Sequence, residues 1–283
     1  YKLLNGFHPF KDYWSITGPF LDYLQFLIFK IFGVSWFNYV LHSALMNLTL
    51  TVIFFNFLII LGLKKFNSFI YSLSISILAY PSIGTPFMDH HAVILSLISL
   101  MLIILASKTN KSIYWFLTPI FLFLSFLSKQ IPSAYLLIIF LIYIFFYRLI
   151  LKPSDLKFSN NLFLGSLSAI LGFIIILLIN DISFKNFFEQ YFFYPIEIGS
   201  NRVSGELFNF KKIILDFKLL YLSIIPLGLV LFKLITEIKK KDIKKDILII
   251  ILIILSILIF IYSQILTKNQ ILIFFLIPFC LSV

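Results

Sequence analysis

Arginine is scarce in this 283-residue chain: Arg148 and Arg202 are the only two among 23 basic residues, and the acids number just 12. Charged residues make up 12% of the sequence against 61% hydrophobic ones, with a mean hydropathy of +1.05. So little polar surface cannot coat a water-exposed body, which excludes an ordinary soluble domain. The single cysteine, Cys280, excludes an intrachain disulfide. No glycine-rich nucleotide loop, P-loop or Ser-His-Asp elbow is present, so a cytosolic nucleotide is not expected as substrate or cofactor. Alternating strands with polar lumen positions are missing, which argues against a β-barrel. The lack of an internal repeat argues against an inverted-repeat transporter. The chain opens at Tyr1 without methionine and stops at Val283 inside a short apolar run, and it reads as a fragment truncated at both ends.

What is abundant is long apolar sequence. Nine stretches, residues 36–62, 66–83, 89–107, 112–128, 132–151, 162–180, 216–235, 246–263 and 270–283, read as membrane helices. The expected fold is therefore all-α, a polytopic membrane helix bundle. A net charge of +11 would suggest nucleic acid for a soluble protein. Here 13 of the 23 basic residues fall in alternate gaps, at 63–65, 108–111, 148–157 and 233–246, against four acids. That is the positive-inside signature of cytoplasmic loops, and no nucleic-acid partner is implied. The remaining gaps, with residues 1–35, then face the outside or lumen and hold eight acids. Within residues 1–35, the run 19–33 is broken by Asp22, Gln25 and Lys30, too short and polar to span. It reads as an amphipathic juxtamembrane helix at the outer interface, with Tyr13, Trp14 and Tyr23 at headgroup depth.

The outward gaps hold the unusual polar chemistry. Pro86-Phe87-Met88-Asp89-His90-His91 enters a helix from an outer gap. A carboxylate beside two imidazoles suits a divalent metal cation, so Asp89, His90 and His91 are candidate ligands. Adjacent side chains on a helix point about 100° apart, so two of the three are expected to share one ion. The bland alternative is a capping Asp89 with interfacial histidines. Ionisable groups at a membrane helix end that face the bundle favour function. Asp12, presented with Lys11 in a Gly-, Pro- and aromatic-rich loop, could be a general base or a partner to a metal site, or else a surface ion pair with Lys11. Lys129 and Gln130 stand in a very short outer gap, where a cation calls for an anion such as a lipid phosphate or a bundle carboxylate, or snorkels to the interface. Arg202, the one outward guanidinium, has a fork suited to phosphate, although its loop could equally be a solvated cover.

Several blocks resemble a known family. Leu3-Leu4-Asn5-Gly6, Pro9-Phe10-Lys11-Asp12-Tyr13-Trp14, Gly18-Pro19, Tyr23-Leu24-Gln25 and Phe29-Lys30-Ile31-Phe32-Gly33 resemble the first external loop of GT-C glycosyltransferases, in particular the dolichyl-phosphate-mannose protein mannosyltransferase-like group. Phe126-Leu127-Ser128-Lys129-Gln130-Ile131-Pro132, Asn269-Gln270 and Ile277-Pro278-Phe279 are similar to later landmarks of that group. The resemblance implies one transmembrane glycosyltransferase domain over residues 1–283. It implies a polyprenyl-phosphate sugar donor and a lipid, glycan or protein acceptor. The expected location is a bacterial inner membrane, with the active site facing the periplasm. It further implies an acid in the first external loop, Asp12 or one upstream, as catalytic residue. Asp89 falls where related oligosaccharyltransferase subunits place metal-binding acids. Lys11, Lys129, Gln130 and Arg202 are then expected to meet substrate. Rival expectations are a transporter or flippase of lipid-linked sugars, with charge near mid-helix, and a polysaccharide polymerase, with arginine-rich outer loops.

Overall fold

The computed structural model describes residues 1–81, 84–151, 157–203, 210–236, 241–267 and 273–283. Among them no strand forms; the architecture is helical throughout. A short 3-10 turn precedes α1 (Pro19–Phe32), α2 (Trp36–Ile60), α3 (Lys65–Ala79), α4 (Met88–Thr109), α5 (Ser112–Ser128), α6 (Ser133–Leu151) and α7 (Lys157–Ile179). Then follow α8 (Phe184–Phe188), a π-helical turn (Glu189–Phe193), α9 (Tyr194–Val203), α10 (Phe210–Asp216), α11 (Lys218–Thr236), α12 (Lys241–Thr267) and α13 (Leu276–Ser282). All nine expected stretches contain helix. Six of the helices (α2, α4, α6, α7, α11 and α12) are long and apolar enough to cross a membrane, whereas α3 has 15 residues, α5 has 17 and α13 has seven. The protein is an all-α chain with the helices of an integral membrane protein.

The stretch 181–215 departs from expectation. It reads as a loop, yet it is helical from Phe184 to Val203. The reason is an aromatic face: Phe187 and Tyr191 are buried with Phe10, Leu127, Phe173 and Leu177 in one cluster. Residues four apart lie on one helix face, so a helical turn is what lets this short segment bury both rings.

The centre of the bundle is α4, buried on every side from Asp89 to Ser107. Its apolar circumference meets other helices, whereas α7 and α11 leave most of their side chains exposed, as helices do where lipid is the solvent. Helix α5 runs antiparallel to α4. Ser125 Oγ lies 2.7 Å from both the Ala92 carbonyl and Ser96 Oγ, and Ser99 Oγ donates to the Thr118 carbonyl at 2.7 Å. Such interhelical hydrogen bonds and small-residue contacts substitute for the hydrophobic effect inside a bilayer. The parallel pair α5 and α7 uses the second device: a Cβ on Gly165 would come within 2.1 Å of the Phe116 carbonyl oxygen. Helices α2 and α3 are antiparallel, with Asn47 Nδ2 donating to the Ser76 carbonyl at 2.8 Å.

These pairings sort the helix ends. The C-terminal end of α4 carries Lys108, whose Nζ lies 2.6 Å from Asp246 Oδ1 on α12. The start of α4, the end of α5 and the segment 1–18 gather at the opposite end. There the Gly18 N–H donates to the Ser128 carbonyl at 3.2 Å, and a Cβ on Gly18 would approach the Leu127 carbonyl oxygen to 1.7 Å. Only glycine permits that approach, so the first segment is seated directly on the end of α5. Phe10 is the other anchor: its ring is 1% exposed and its backbone sits at φ 67°, a left-handed conformation unusual for a bulky residue. Burial against Phe187, at 5.2 Å between ring centroids, offsets that strain.

Candidate functional site

The site is built where α4 begins. Phe87 is the N-cap, and Asp89, His90 and His91 occupy the first turn, all three buried. Their side chains diverge as consecutive helical positions must, and each meets a different partner. Asp89 Oδ1 accepts from Lys129 Nζ, joining the start of α4 to the residue that caps the end of α5. The Asp89 side chain is 4% exposed and that of Lys129 19%, so the pair is largely removed from water. Both helix dipoles favour the arrangement: an anion at one N-terminus and a cation at one C-terminus. One Nζ proton satisfies Asp89, and a lysine has two more to offer an incoming oxygen anion.

His91 reaches the other way. Its Nδ1 lies 2.9 Å from the Phe87 carbonyl oxygen, and its Nε2 lies 3.0 Å from His42 Nε2 on α2. His42 in turn places Nδ1 2.8 Å from the side-chain amide of Gln25 on α1. His90 Nε2 contacts the Ala79 carbonyl oxygen at the end of α3. Asp89, His90 and His91 therefore do not converge on one point. Among the described residues no group of three or more His, Cys, Asp or Glu side chains is placed to hold a metal ion. The donor set as arranged does not fit a single cation, since the carboxylate is matched by Lys129 and the two imidazoles face different helices.

The first segment brings a second group of titratable side chains. Asp12 Oδ2 accepts the His8 backbone N–H at 2.7 Å, and the Asp12 N–H donates to the His8 carbonyl at 2.9 Å, closing a tight exposed loop. Lys11 does not pair with Asp12; its Nζ donates to the Asn180 carbonyl at 3.1 Å and lies 3.8 Å from Asp181. Tyr13 lies beside the half-buried Asp22, and Lys2 Nζ sits 4.3 Å above the Tyr13 ring. Burial raises the Asp22 carboxyl above the ordinary carboxylate range, against the pull of positive charge and of the Tyr13 hydroxyl. Burial and then Asp22 push the Tyr23 hydroxyl up to about 12, and the same two causes raise Tyr13. His8 Nδ1 lies 3.2 Å from Tyr23 Oη.

Gln130 is a tether. Its Nε2 donates to the Tyr191 carbonyl at 2.8 Å and lies 3.4 Å from the Ile16 carbonyl, so it ties the first segment, the 129–131 turn and the π-helical turn together. Gln190 does the same from the other side, accepting the Ser15 N–H at 2.9 Å. Arg202 stands on α9 with its side chain outside the described residues, as do Lys239, Lys240, Glu206, Lys268, Asn269 and Gln270 altogether.

Three residues of this end escaped the sequence reading as site members: Asp22, Gln25 and His42. The signals were present. Asp22 and Gln25 share a helix face at a spacing of three, and His42 is the only Asp, Glu, Lys, Arg or His within α2. Helix α1 thus carries one acid toward the Tyr13 group and, one turn later, an amide toward the histidines of α2 and α4. No family model, curated protein or solved structure matches this chain.

Proposed function

We propose that this protein is an integral-membrane glycosyltransferase that moves a sugar from a polyprenyl-phosphate donor to an acceptor hydroxyl at the outer face, the periplasmic face of a bacterial inner membrane. The observation that carries the reading is the buried Asp89–Lys129 pair, set at the end of the bundle away from Lys108 and walled by the first external segment. Charge held at a membrane helix end is costly unless used, and a lysine with two spare protons suits the phosphate of a membrane-anchored donor. The exposed row Leu27 and Ile31 on α1, continued by Phe32, Val34, Trp36 and Phe37, suits a helix lying in the outer interface beside that donor.

In this scheme the acceptor oxygen attacks the anomeric carbon, and the bond from that carbon to the phosphate oxygen breaks with its electron pair leaving on the lipid phosphate. The hydroxyl proton passes to a carboxylate of the first segment, Asp12, with Asp22 beside Tyr13 as the neighbouring acid. Lys129, supported by Arg202, offsets charge building on the departing phosphate, while Asp89 keeps Lys129 aimed and neutralised before the donor arrives. Lys11 braces the Asp12 loop against Asp181. No step runs through a metal ion, because the ligand set does not converge.

The test is label transfer in membranes carrying the full chain, supplied with a panel of radiolabelled polyprenyl-phosphate sugars and endogenous lipid, glycan and protein acceptors. Wild type transfers label. Lys129→Met and Asp89→Asn lose on the order of a hundredfold in rate, the usual scale for removing one charge-stabilising group, and Asp12→Asn loses a similar factor as a general base. Movement of labelled lipid across the bilayer without transfer identifies a flippase and overturns the proposal.

A further inference from the structure

The four histidines of this chain include three, His42, His90 and His91, buried against one another at the start of α4, and the catalytic scheme uses none of them. Their contacts fix their protons. The Phe87 carbonyl only accepts, so His91 Nδ1, 2.9 Å away, carries a hydrogen. A neutral imidazole has one N–H, so His91 Nε2 is then a bare lone pair. The atom facing it at 3.0 Å, His42 Nε2, must carry a proton for the contact to be attractive. His42 Nδ1 is in turn bare and needs a donor, and what faces it at 2.8 Å is the amide of Gln25.

A glutamine amide exchanges its oxygen and nitrogen by a half-turn, and the network decides between them. With the oxygen toward His42, Gln25 Nε2 is buried without a partner and the two histidine Nε2 atoms oppose lone pairs. With the NH2 toward His42, every contact in the chain is donor to acceptor. The remaining alternative is an extra proton shared by the two Nε2 atoms. That would bury a cation with, among the described residues, no carboxylate paired to either ring, since Asp89 is matched by Lys129.

We infer that Gln25, His42 and His91 form an uncharged, one-way hydrogen-bond relay, Gln25 NH2 to His42, His42 to His91, His91 to the Phe87 carbonyl, which positions the first turn of α4 against α1. The relay spans three helices and ends two residues from Asp89, while its other end lies one turn from Asp22. It thereby sets the spacing between the carboxylates of the first segment and the Asp89–Lys129 pair. These are positioning residues; that they position catalysis rests on the glycosyl-transfer reading, whereas the relay itself does not.

The experiment is nitrogen-15 magnetic resonance of the full chain in lipid bilayers with labelled histidine, where four histidines leave few signals to assign. Loss of signals in His8→Gln and His90→Gln identifies those two rings, and the two sets left are told apart by backbone correlation, since His42 precedes Ser43 and His91 precedes Ala92. The expected spectrum at neutral pH shows His42 protonated on Nε2 and His91 on Nδ1, with no imidazolium. Gln25→Glu, which keeps the size and as a carboxylate can only accept, is expected to convert the pair to one imidazolium shared between two rings. An imidazolium already present in the wild type, or two bare Nε2 atoms around a bound metal, overturns the relay. On the same samples Gln25→Met is expected to lower kcat of label transfer by on the order of tenfold to a hundredfold through misplacement, with KM for the donor little changed. Undiminished kcat in Gln25→Met overturns the positioning role even where the tautomers are as stated. Absence of transfer in the wild type counts against the glycosyl-transfer reading alone.

Discussion

Cutting both members of the Asp89–Lys129 pair should cost less than the two single cuts added together. The Asp89 side chain is 4% exposed, so its charge has no access to bulk water once Lys129 is replaced by methionine. Leaving one partner of a buried ion pair unmatched costs about 3–5 kcal/mol. Lys129 is 19% exposed and can extend toward the interface, so Asp89→Asn should fall below that range, at about 2 kcal/mol. The double variant Asp89→Asn with Lys129→Met removes both charges and the mismatch. Its loss should fall short of the sum of the singles by about 1–3 kcal/mol, the coupling expected of contacting charges. Cys280 provides the assay: it is the chain's one cysteine, unpaired and 2% exposed, so a thiol-reactive dye in detergent titrations reports its release on unfolding. Strict additivity of the two single losses would refute the claim that the pair is a coupled, desolvated unit.

Gly18→Ala should unseat the first segment, because the added Cβ would lie 1.7 Å from the backbone oxygen of Leu127; rapid proteolysis within residues 1–18 with the rest of the chain intact is the expected result. Asp22 has a folded pKa raised by burial, so it favours the folded state below its ordinary pKa of about 3.9, and that contribution is lost as pH rises through the raised value. Protection factors of residues 13–25, which take out the intrinsic rise of exchange with pH, should therefore fall as pH rises from 4, and Asp22→Asn should abolish that fall. For sidedness, the pair Phe7→Cys and Lys64→Cys on a Cys280→Ser background should react differently with an impermeant maleimide: Phe7→Cys in sealed cells, Lys64→Cys only after permeabilisation. Labelling of both from one side defeats the orientation.

Much of the scaffold was legible because its signals are local. Each apolar stretch scores itself by composition, and the alternating basic gaps need no knowledge of contacts. Asp89 and Lys129 each stood out separately, one as an acid at a helix start and the other as a cation in a short outer gap. The metal expectation already allowed for divergence of about 100° per residue and put only two of Asp89, His90 and His91 on one ion; what the sequence could not show is that each meets a different partner, Lys129, the Ala79 carbonyl and His42. The stretch 181–215 misread as a loop because its helix is held by Phe10 and Phe173, partners that its own sequence does not contain.

Composition and charge spacing alone determined that this is a helical membrane chain, which stretches turn back, and at which gaps its sparse acids collect. Only the tertiary structure decided that Asp89 meets Lys129 across 40 residues and His91 meets His42 across 49. Those meetings depend on the register of α4 against α5 and α2, which is set by many weak packing contacts and a few buried serine hydroxyls acting together. Hydropathy sums residue by residue and so survives without a structure; register is a property of pairs of surfaces, and no single residue encodes it.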